Sequence, residues 1–224
     1  MGDKWQRSFL LQQVIQENYE VRSFRFEFGL SRFDFLPGQF SLVCPQSRPD
    51  LRASLTFSSA PQEDTFEFTL KRSGDFGTHF YDAARPGDVV RLTQAAGGVA
   101  LQPDHLGSPL CMLVRDYCMP AARSFLRWLD TRPPGHRLTL VHELSHPRER
   151  LFEAELEQFQ ARQRLSYVPL PEGEVSQPLL DGLFPSGSNP YFYIYGEAAD
   201  ARRFRDLLQQ RGVSKERMLV ERWS

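Results

Sequence analysis

Two histidines and a glutamate occur at a spacing that can bind zinc, in the string His142-Glu143-Leu144-Ser145-His146. In the zinc-protease motif H-E-x-x-H, both imidazoles bind one metal ion because they share a helical face, and the glutamate acts as general base. Here the preceding "HRLTLV" alternates apolar and polar residues, which indicates a strand. Pro147 disfavours helical backbone at His146. We therefore predict that His142 ends a strand, that His146 precedes a helix, and that no metal binds.

The composition is typical of a soluble globular protein, with 224 residues, of which 41% are hydrophobic and 25% charged. A net charge of -1 provides no basic field for nucleic acid or an anionic membrane. No apolar run approaches membrane-spanning length, and the N-terminus lacks a signal-peptide pattern. Three cysteines (Cys44, Cys111 and Cys118) form no disulfide framework and are too few for a four-thiolate iron–sulfur cluster. We expect a cytoplasmic protein without a nucleic-acid partner or a membrane span.

The two halves of the chain have different hydrophobic periods, and we place the domain boundary in the polar segment "LQPDHLGSP", giving domains 1–103 and 104–224. In the first half, short alternating runs separated by Gly/Pro turns predict a small antiparallel barrel. The predicted strands are "YEVRSFRFEF", "FLPGQFSLVCP", "ASLTFSSAP", "TFEFTLKRS" and "DVVRLTQAAGG". A helix is predicted in "GTHFYDAA".

In the second half, apolar runs alternate with helical patterns, which predicts a parallel sheet covered by helices. The predicted strands are "PLCMLV", "RLTLVHE", "LSYVPL", "YFYIYG" and "RMLVERW". The predicted helices are "PAARSFLRWLD", "PRERLFEAELEQFQARQ" and "AADARRFRDLLQQRG". The Pro-, Gly- and Ser-rich stretch "LPEGEVSQPLLDGLFPSGSNP" is predicted to be a long surface loop.

The ordered segments "PGQF", "RASLTFSSAP", "LKRSGDFGTHFYD", "RPGDVV" and "AAGG" together resemble the ferredoxin–NADP reductase superfamily. The resemblance extends over nearly the whole chain, with its motifs concentrated in the first half. It implies a six-stranded antiparallel β-barrel that binds FAD, followed by a parallel α/β sheet that binds NAD(P)H. It also implies electron transfer between a nicotinamide cofactor and a redox protein partner or small acceptor.

The superfamily carries an R-x-[YF]-[ST] motif on a barrel strand, where the aromatic residue packs on the flavin and the hydroxyl bonds near flavin N5. The resemblance places Thr56 at the hydroxyl position, which is the catalytic one, and Leu55 at the aromatic position. Arg52 lies one residue further out than the usual arginine, whose forked side chain pairs with the pyrophosphate. Ser54 belongs to the same predicted cofactor-binding stretch.

A second motif of the superfamily, Gly-x-x-[ST], binds the FAD pyrophosphate through backbone amides at a helix start. Gly74, Gly77 and Thr78 match it, and Lys71 and Arg72 add positive charge. A structural interpretation stays open, in which a glycine turn joins a strand to a helix with Thr78 as N-cap. In that interpretation Lys71 and Arg72 belong to an ordinary solvated edge.

The glycine-rich nicotinamide turn of the superfamily, G-G-x-G-[IVL]-[TS]-P, corresponds to residues 114–120, where only the proline is kept. Glycines there allow the backbone to approach a pyrophosphate. Val114 and Tyr117 add bulk instead, Asp116 adds a charge of the same sign as phosphate, and Arg115 compensates in part. The sequence therefore predicts weak or absent NAD(P)H turnover.

The later C-G-P motif of the superfamily appears as Tyr195-Gly196-Glu197, so that only Gly196 survives. Tyr195 either fills the nicotinamide space beside the flavin or is a bulky residue at a strand end. Trp223 either covers the flavin, as C-terminal aromatics do in relatives, or packs on the last strand. For Cys118 we favour a buried, inert thiol over a redox-active one.

Two hypotheses remain. The first is an FAD-dependent oxidoreductase of the ferredoxin reductase type. The second is a non-catalytic reductase-like partner or regulatory subunit that has lost NAD(P)H binding and possibly flavin. An absorption spectrum of the purified protein distinguishes them, because only the first requires a bound flavin.

Overall fold

A computed structural model describes residues 7–29 and 32–223, and the side chains of residues 222 and 223 lie outside this description. The chain divides into two compact units, Met1–Ala100 and Leu101–Ser224. None of the described helices is long and apolar enough to cross a membrane.

The first unit is a nearly closed antiparallel barrel of six strands, as predicted. The strands are β1 (Arg7–Gln16), β2 (Val21–Glu27), β3 (Phe40–Pro45), β4 (Ala53–Thr56), β5 (Thr65–Lys71) and β6 (Val89–Leu92). They are hydrogen-bonded in the order β4-β3-β6-β1-β2-β5. An antiparallel bridge between Phe57 and Phe68 joins the two outer strands and nearly closes the barrel.

Strand β1 was absent from the strands predicted individually. An irregularity between Leu11 and Gln13 shifts its register against β2. Only Phe9 and Leu11 of its ten residues are buried. The period of two that identifies a strand in a sequence is therefore interrupted.

Phenylalanine fills the barrel, and edge-to-face and stacked ring pairs supply much of its packing. Phe66 contacts Phe9, Phe26, Phe57 and Phe68 with ring centroids between 4.9 and 5.9 Å apart. Helix α1 (Gly74–Ala83) adds Phe76 and Phe80 to this core. Because α1 begins at Gly74, Thr78 lies inside the helix, and the interpretation of Thr78 as N-cap is wrong.

The second unit is a parallel sheet of five strands in the order β11-β10-β7-β8-β9. The strands are β7 (Leu110–Arg115), β8 (Leu138–Leu144), β9 (Leu165–Pro171), β10 (Tyr191–Glu197) and β11 (Met218–Trp223). The helices are α2 (Pro120–Asp130), α3 (Glu153–Ala161), α4 (Gln177–Leu183) and α5 (Ala198–Gln210). The predicted alternation of strands and helices is confirmed.

Two elements of this unit differ from the prediction. The helix expected from Pro147 onward is a 3₁₀ turn at Pro147–Glu149, and α3 starts only after Phe152, which has a left-handed φ of 61°. The predicted long surface loop contains α4, and Leu180 of this helix is fully buried in the core of the unit. Its Pro, Gly and Ser residues concealed this short apolar helix.

The chain order reverses beside β7, which has β8 on one side and β10 on the other. In open α/β sheets, ligands bind at the carboxyl ends of the strands at such a switch point. The turn after β7 and the start of α5 after β10 meet at this switch point, so a nucleotide site is expected at this edge of the sheet.

Candidate functional site

The predicted flavin-binding residues of β4, and Arg52 directly before that strand, differ in their exposure. Arg52 and Ser54 are exposed, whereas Ala53 and Leu55 pack against the hydrophobic core of the barrel. Arg52 directly precedes β4, and because side chains alternate along a strand, Ser54 lies on the face opposite Ala53 and Leu55. Thr56 is buried and pairs with Phe40 of β3. The structure therefore leaves Arg52 and Ser54 exposed and turns Leu55 away from Ser54.

The two cations predicted beside the pyrophosphate each contact a local carboxylate. Lys71 Nζ lies 3.2 Å from Glu20 of the β1–β2 connection. Arg72 binds both carboxylate oxygens of Asp82 in α1, at 2.9 and 2.8 Å. These pairs are exposed or half-exposed, where ion pairs contribute little stability. The arrangement matches the solvated edge that the sequence left open for Lys71 and Arg72.

The start of α1 has the features that an anion site requires. Gly74 has a left-handed φ of 60°, and a Cβ atom on Gly77 would lie 2.6 Å from the carbonyl oxygen of Lys71. Glycine at position 77 thus allows α1 to pack against the end of β5. Within the described part of the chain, the N-cap Ser73 makes no side-chain capping bond to the helix. The Ser73 side chain therefore does not occupy the first backbone N–H groups of α1, which favour an anion, whereas Asp75 in the first turn places a negative charge beside them.

At the switch point of the α/β unit, Arg115 lies among four carboxylates. Its guanidinium is 2.8 Å from Asp116 and 2.7 Å from Glu172, and 3.8 Å from both Glu143 and Asp200. The Arg115 side chain is only 11% exposed. The predicted compensating cation is therefore already engaged by acids of its own chain.

Asp116 occupies the centre of the turn that would hold a pyrophosphate. Its φ is 43°, a left-handed conformation that glycine adopts more readily. Its carboxylate accepts hydrogen bonds from the backbone N–H of Ser145 at 2.7 Å and from the Ser145 hydroxyl at 3.0 Å. Burial acts to raise the pKa of Asp116, but hydrogen bonds with Glu149, Ser145 and Arg115 hold it below its ordinary value.

Glu143 is fully buried and joins three segments of the unit. Its Oε1 accepts from the backbone N–H of Val175 at 2.8 Å and from Arg203 of α5 at 3.2 Å. Nη1 of Arg115 approaches its other oxygen. An ionised carboxylate in such a place needs these partners, because an unpaired buried charge is strongly destabilising.

The cluster of Arg115, Asp116, Glu143, Glu172, Asp200 and Arg203, hereafter the switch-point cluster, sets four carboxylates against two guanidinium groups. Its net charge is negative, and its side chains occupy the space beside the turn. These residues do not fit a nicotinamide dinucleotide, whose diphosphate needs bare backbone amides and positive charge.

Sequence reasoning had missed Glu143, Glu172, Asp200 and Arg203 as members of this cluster. Glu143 gave one local signal, since a charged residue inside an otherwise apolar strand is unusual. Glu172 follows β9, whereas Asp200 and Arg203 lie one turn apart on α5, and only the fold brings these two segments to Glu143.

The zinc-motif residues follow the predicted strand-and-turn arrangement. His142 is buried in β8, whereas His146 is exposed and caps the 3₁₀ turn. Nε2 of His142 donates to the carbonyl oxygen of Asp116 at 2.8 Å, so Nδ1 accepts from the Tyr167 hydroxyl at 3.0 Å. Burial lowers the pKa of His142 to about 4. Among the described residues no group of three or more potential metal ligands is found.

The remaining predicted residues lie near the ends of the sheet strands. Tyr195 is fully buried, and burial raises its pKa well above the ordinary value. A Cβ on Gly196 would lie 3.2 Å from Asp200, which is a tight approach. Cys118 is buried and its pKa is raised, mainly by burial, so its sulfur is a thiol at neutral pH. The side chain of Trp223 lies outside the described residues.

Comparison with known proteins gives structural likeness only. No protein-family model matches the chain, and no curated protein matches it. The flavohem-like FAD/NAD-binding domain of a Vibrio cholerae nitric oxide dioxygenase superposes with a TM-score of 0.83 at 21% identity, covering 97% of this chain and 98% of that one. A Neisseria gonorrhoeae ferredoxin NADP+ reductase, solved with bound FAD and NADP, gives 0.81 at 18% identity, with coverages of 96% and 98%.

A third similar structure is the Plasmodium falciparum ferredoxin-NADP+ reductase, with a TM-score of 0.79, 16% identity, and coverages of 96% and 95%. In all three pairs the likeness extends over both units of the chain. The order of the two units, the six-stranded barrel and the five-stranded parallel sheet agree with it. This chain therefore has the fold of the ferredoxin–NADP reductase superfamily.

Proposed function

We propose that this chain is an FAD-dependent electron-transfer protein of the ferredoxin reductase type that does not take hydride from NAD(P)H directly. The observation that carries the proposal is the engagement of Arg115 by carboxylates of its own chain at the switch point. Electrons would enter from a reduced protein or small donor and leave to a redox partner.

The barrel supplies the residues that we assign to FAD. The backbone amides at the start of α1, together with the exposed Ser54 of β4 and Arg52 directly before it, would bind the diphosphate. Thr56 is the residue that we propose beside the reactive edge of the flavin. A bound flavin supplies an acceptor of two electrons that is able to release them singly. Arg52 and Ser54 orient it, and the buried hydrophobic barrel excludes water from below Thr56.

The charges at the turn after β7 oppose the binding of NAD(P)H. A phosphate charge about 4 Å from Asp116 is repelled by about 4 kcal/mol at an effective dielectric constant of about 20. A hydrogen bond from a backbone amide to a charged group returns about 1.5–3 kcal/mol. Arg115 and Arg203 offset two of the four carboxylates, so a net repulsion of this order remains, and it is larger than the return from one amide.

The second candidate function is a non-catalytic partner or regulatory subunit. Two observations favour it. Leu55 faces the barrel core instead of the outer face, and both Lys71 and Arg72 are paired with neighbouring acids. In this alternative the fold is retained as a binding surface, and the barrel holds no flavin.

The test is an anaerobic absorption spectrum of the purified chain with added FAD, followed by dithionite, NADH or NADPH in separate samples. We expect a flavin spectrum that dithionite bleaches and that neither nicotinamide cofactor bleaches. Rapid bleaching by NADH or NADPH would contradict the assignment of the switch-point cluster. A colourless protein that binds no added FAD would support the second candidate.

A further inference from the structure

The two edges of the parallel sheet differ in their ability to accept another strand. Strand β9, at one edge, contains Pro169 and Pro171, which have no N–H group to donate. Strand β11, at the other edge, contains no proline, and among the described strands it pairs with β10 alone. An open edge of this kind is a template for pairing with a further strand.

The sequence across the open edge is complementary to itself when it is reversed. The run Arg217-Met218-Leu219-Val220-Glu221, turned end for end about Leu219, sets Arg217 opposite Glu221 and Met218 opposite Val220. We propose that β11 pairs antiparallel with β11 of a second copy of this chain, which forms a two-fold dimer with a continuous ten-stranded sheet. Each dimer then contains two identical Arg217–Glu221 pairs.

The faces of the sheet agree with this register. Leu219 and Glu221 lie beside Tyr193 and Tyr195 of β10, on one face of the sheet. The Arg217 guanidinium is on the same side, stacked 4.0 Å from the ring centroid of Tyr191. Arg217 is the last residue of the 3₁₀ turn Lys215–Arg217 that leads into β11, and its guanidinium lies on the face that the second copy's Glu221 would share, so the two side chains would meet.

On the opposite face of the sheet, the side chains at the proposed pairing are apolar. Met218 belongs to the buried core of the unit and Val220 packs against it. A groove of about 320 Å³ runs beside them, lined by Arg205, Gln209, Lys215, Met218 and Val220. In the paired sheet, the Met218 and Val220 side chains of the second copy would lie beside those of the first and extend this apolar floor, with the cations at its rim.

Glu221 gives an independent indication of a missing partner. It is half-buried at the open edge, and it forms no ion pair with any described side chain of its own chain. Burial raises its pKa, because the carboxylate loses solvent without gaining a cation. A guanidinium from a second copy would supply that cation.

The experiment is sedimentation velocity of the full chain from about 1 to about 100 µM, for the wild type and four variants. Glu221→Arg places two arginines opposite each other, and Arg217→Glu places two glutamates opposite each other. The double variant Arg217→Glu/Glu221→Arg restores opposite charges in reversed order. Glu157→Arg, on the exposed face of α3, is the matched control for the change in charge.

We expect a wild-type dimer, and a dissociation constant raised about tenfold or more in each single charge reversal. The double variant should recover dimerisation, and Glu157→Arg should leave it unchanged. Because Arg217 also contacts Ser108 and Tyr191, the recovery distinguishes lost pairing from local misfolding. A wild type that is monomeric at the highest concentration, or a dimer that Glu221→Arg leaves intact, would overturn the proposal.

Discussion

Nε2 of His142 lies 2.8 Å from the carbonyl oxygen of Asp116 and donates its proton to it. The histidine of a zinc-protease string thus anchors the turn after β7. Glu143, the next residue of the string, binds Arg203 and the Val175 backbone on the same edge of the sheet. These two residues therefore hold the switch-point cluster in place.

Replacing His142 tests this anchor. In His142→Phe, the Asp116 carbonyl and the Tyr167 hydroxyl lose their buried partner, which costs about 1–3 kcal/mol for each unsatisfied group. We expect a lower free energy of unfolding in urea. Tyr167→Phe, the control, leaves only Nδ1 of His142 without a partner and should cost about 1–3 kcal/mol, less than His142→Phe, which leaves two groups unsatisfied. Equal stabilities of His142→Phe and the wild type would rule out the anchoring role.

The stability of the protein should depend on pH through His142. Its folded pKa is about 4, and the unfolded value is about 6.5. Between these values the unfolded state binds more protons, so stability is complete above about pH 6.5 and falls as the pH decreases towards 4. The loss is roughly 3 kcal/mol at most. The free energy of unfolding, measured in urea between about pH 4 and 6.5, should change less with pH for His142→Phe than for the wild type.

Gly77 tests the packing of α1 against β5. Alanine is normally better than glycine inside a helix by about 1 kcal/mol. Here its Cβ would lie 2.6 Å from the Lys71 carbonyl oxygen, a backbone atom that cannot move cheaply. We expect Gly77→Ala to lose about 1–3 kcal/mol through overpacking. Thermal unfolding measures this loss of stability. Gly98→Ala is the control, because its Cβ would lie in open space, and its stability should stay within about 0.5 kcal/mol of the wild type.

Arg52 tests the assignment of the diphosphate site. If the guanidinium binds phosphate, Arg52→Ala loses a charge-assisted bond of about 1.5–3 kcal/mol and weakens FAD binding about tenfold or more. Titration with FAD, followed by fluorescence, measures this. Arg32→Ala is a matched control, since Arg32 is a barrel arginine paired with Asp64. Equal FAD affinity of Arg52→Ala and Arg32→Ala would remove Arg52 from the site.

Local chemistry in the sequence predicted most of the architecture. Alternation predicted five barrel strands, and apolar runs followed by helical patterns predicted the parallel sheet, because both periods are properties of neighbouring residues. Periodicity did not predict strand β1 or helix α4. A register irregularity interrupts the first, and turn-forming residues surround the second.

By itself, the sequence determined that a barrel precedes a parallel α/β sheet, that H-E-x-x-H lies on a strand and a turn, and that the nicotinamide turn has lost its glycines. Only the tertiary structure decided which charged side chains surround the turn that has lost these glycines. Arg115, Glu143 and Glu172 lie at the ends of three different strands, Asp200 and Arg203 lie one turn apart on α5, and nothing in the sequence relates the four segments to one another. They meet because parallel strands bring their carboxyl ends to one edge, where buried charges must find partners of opposite sign.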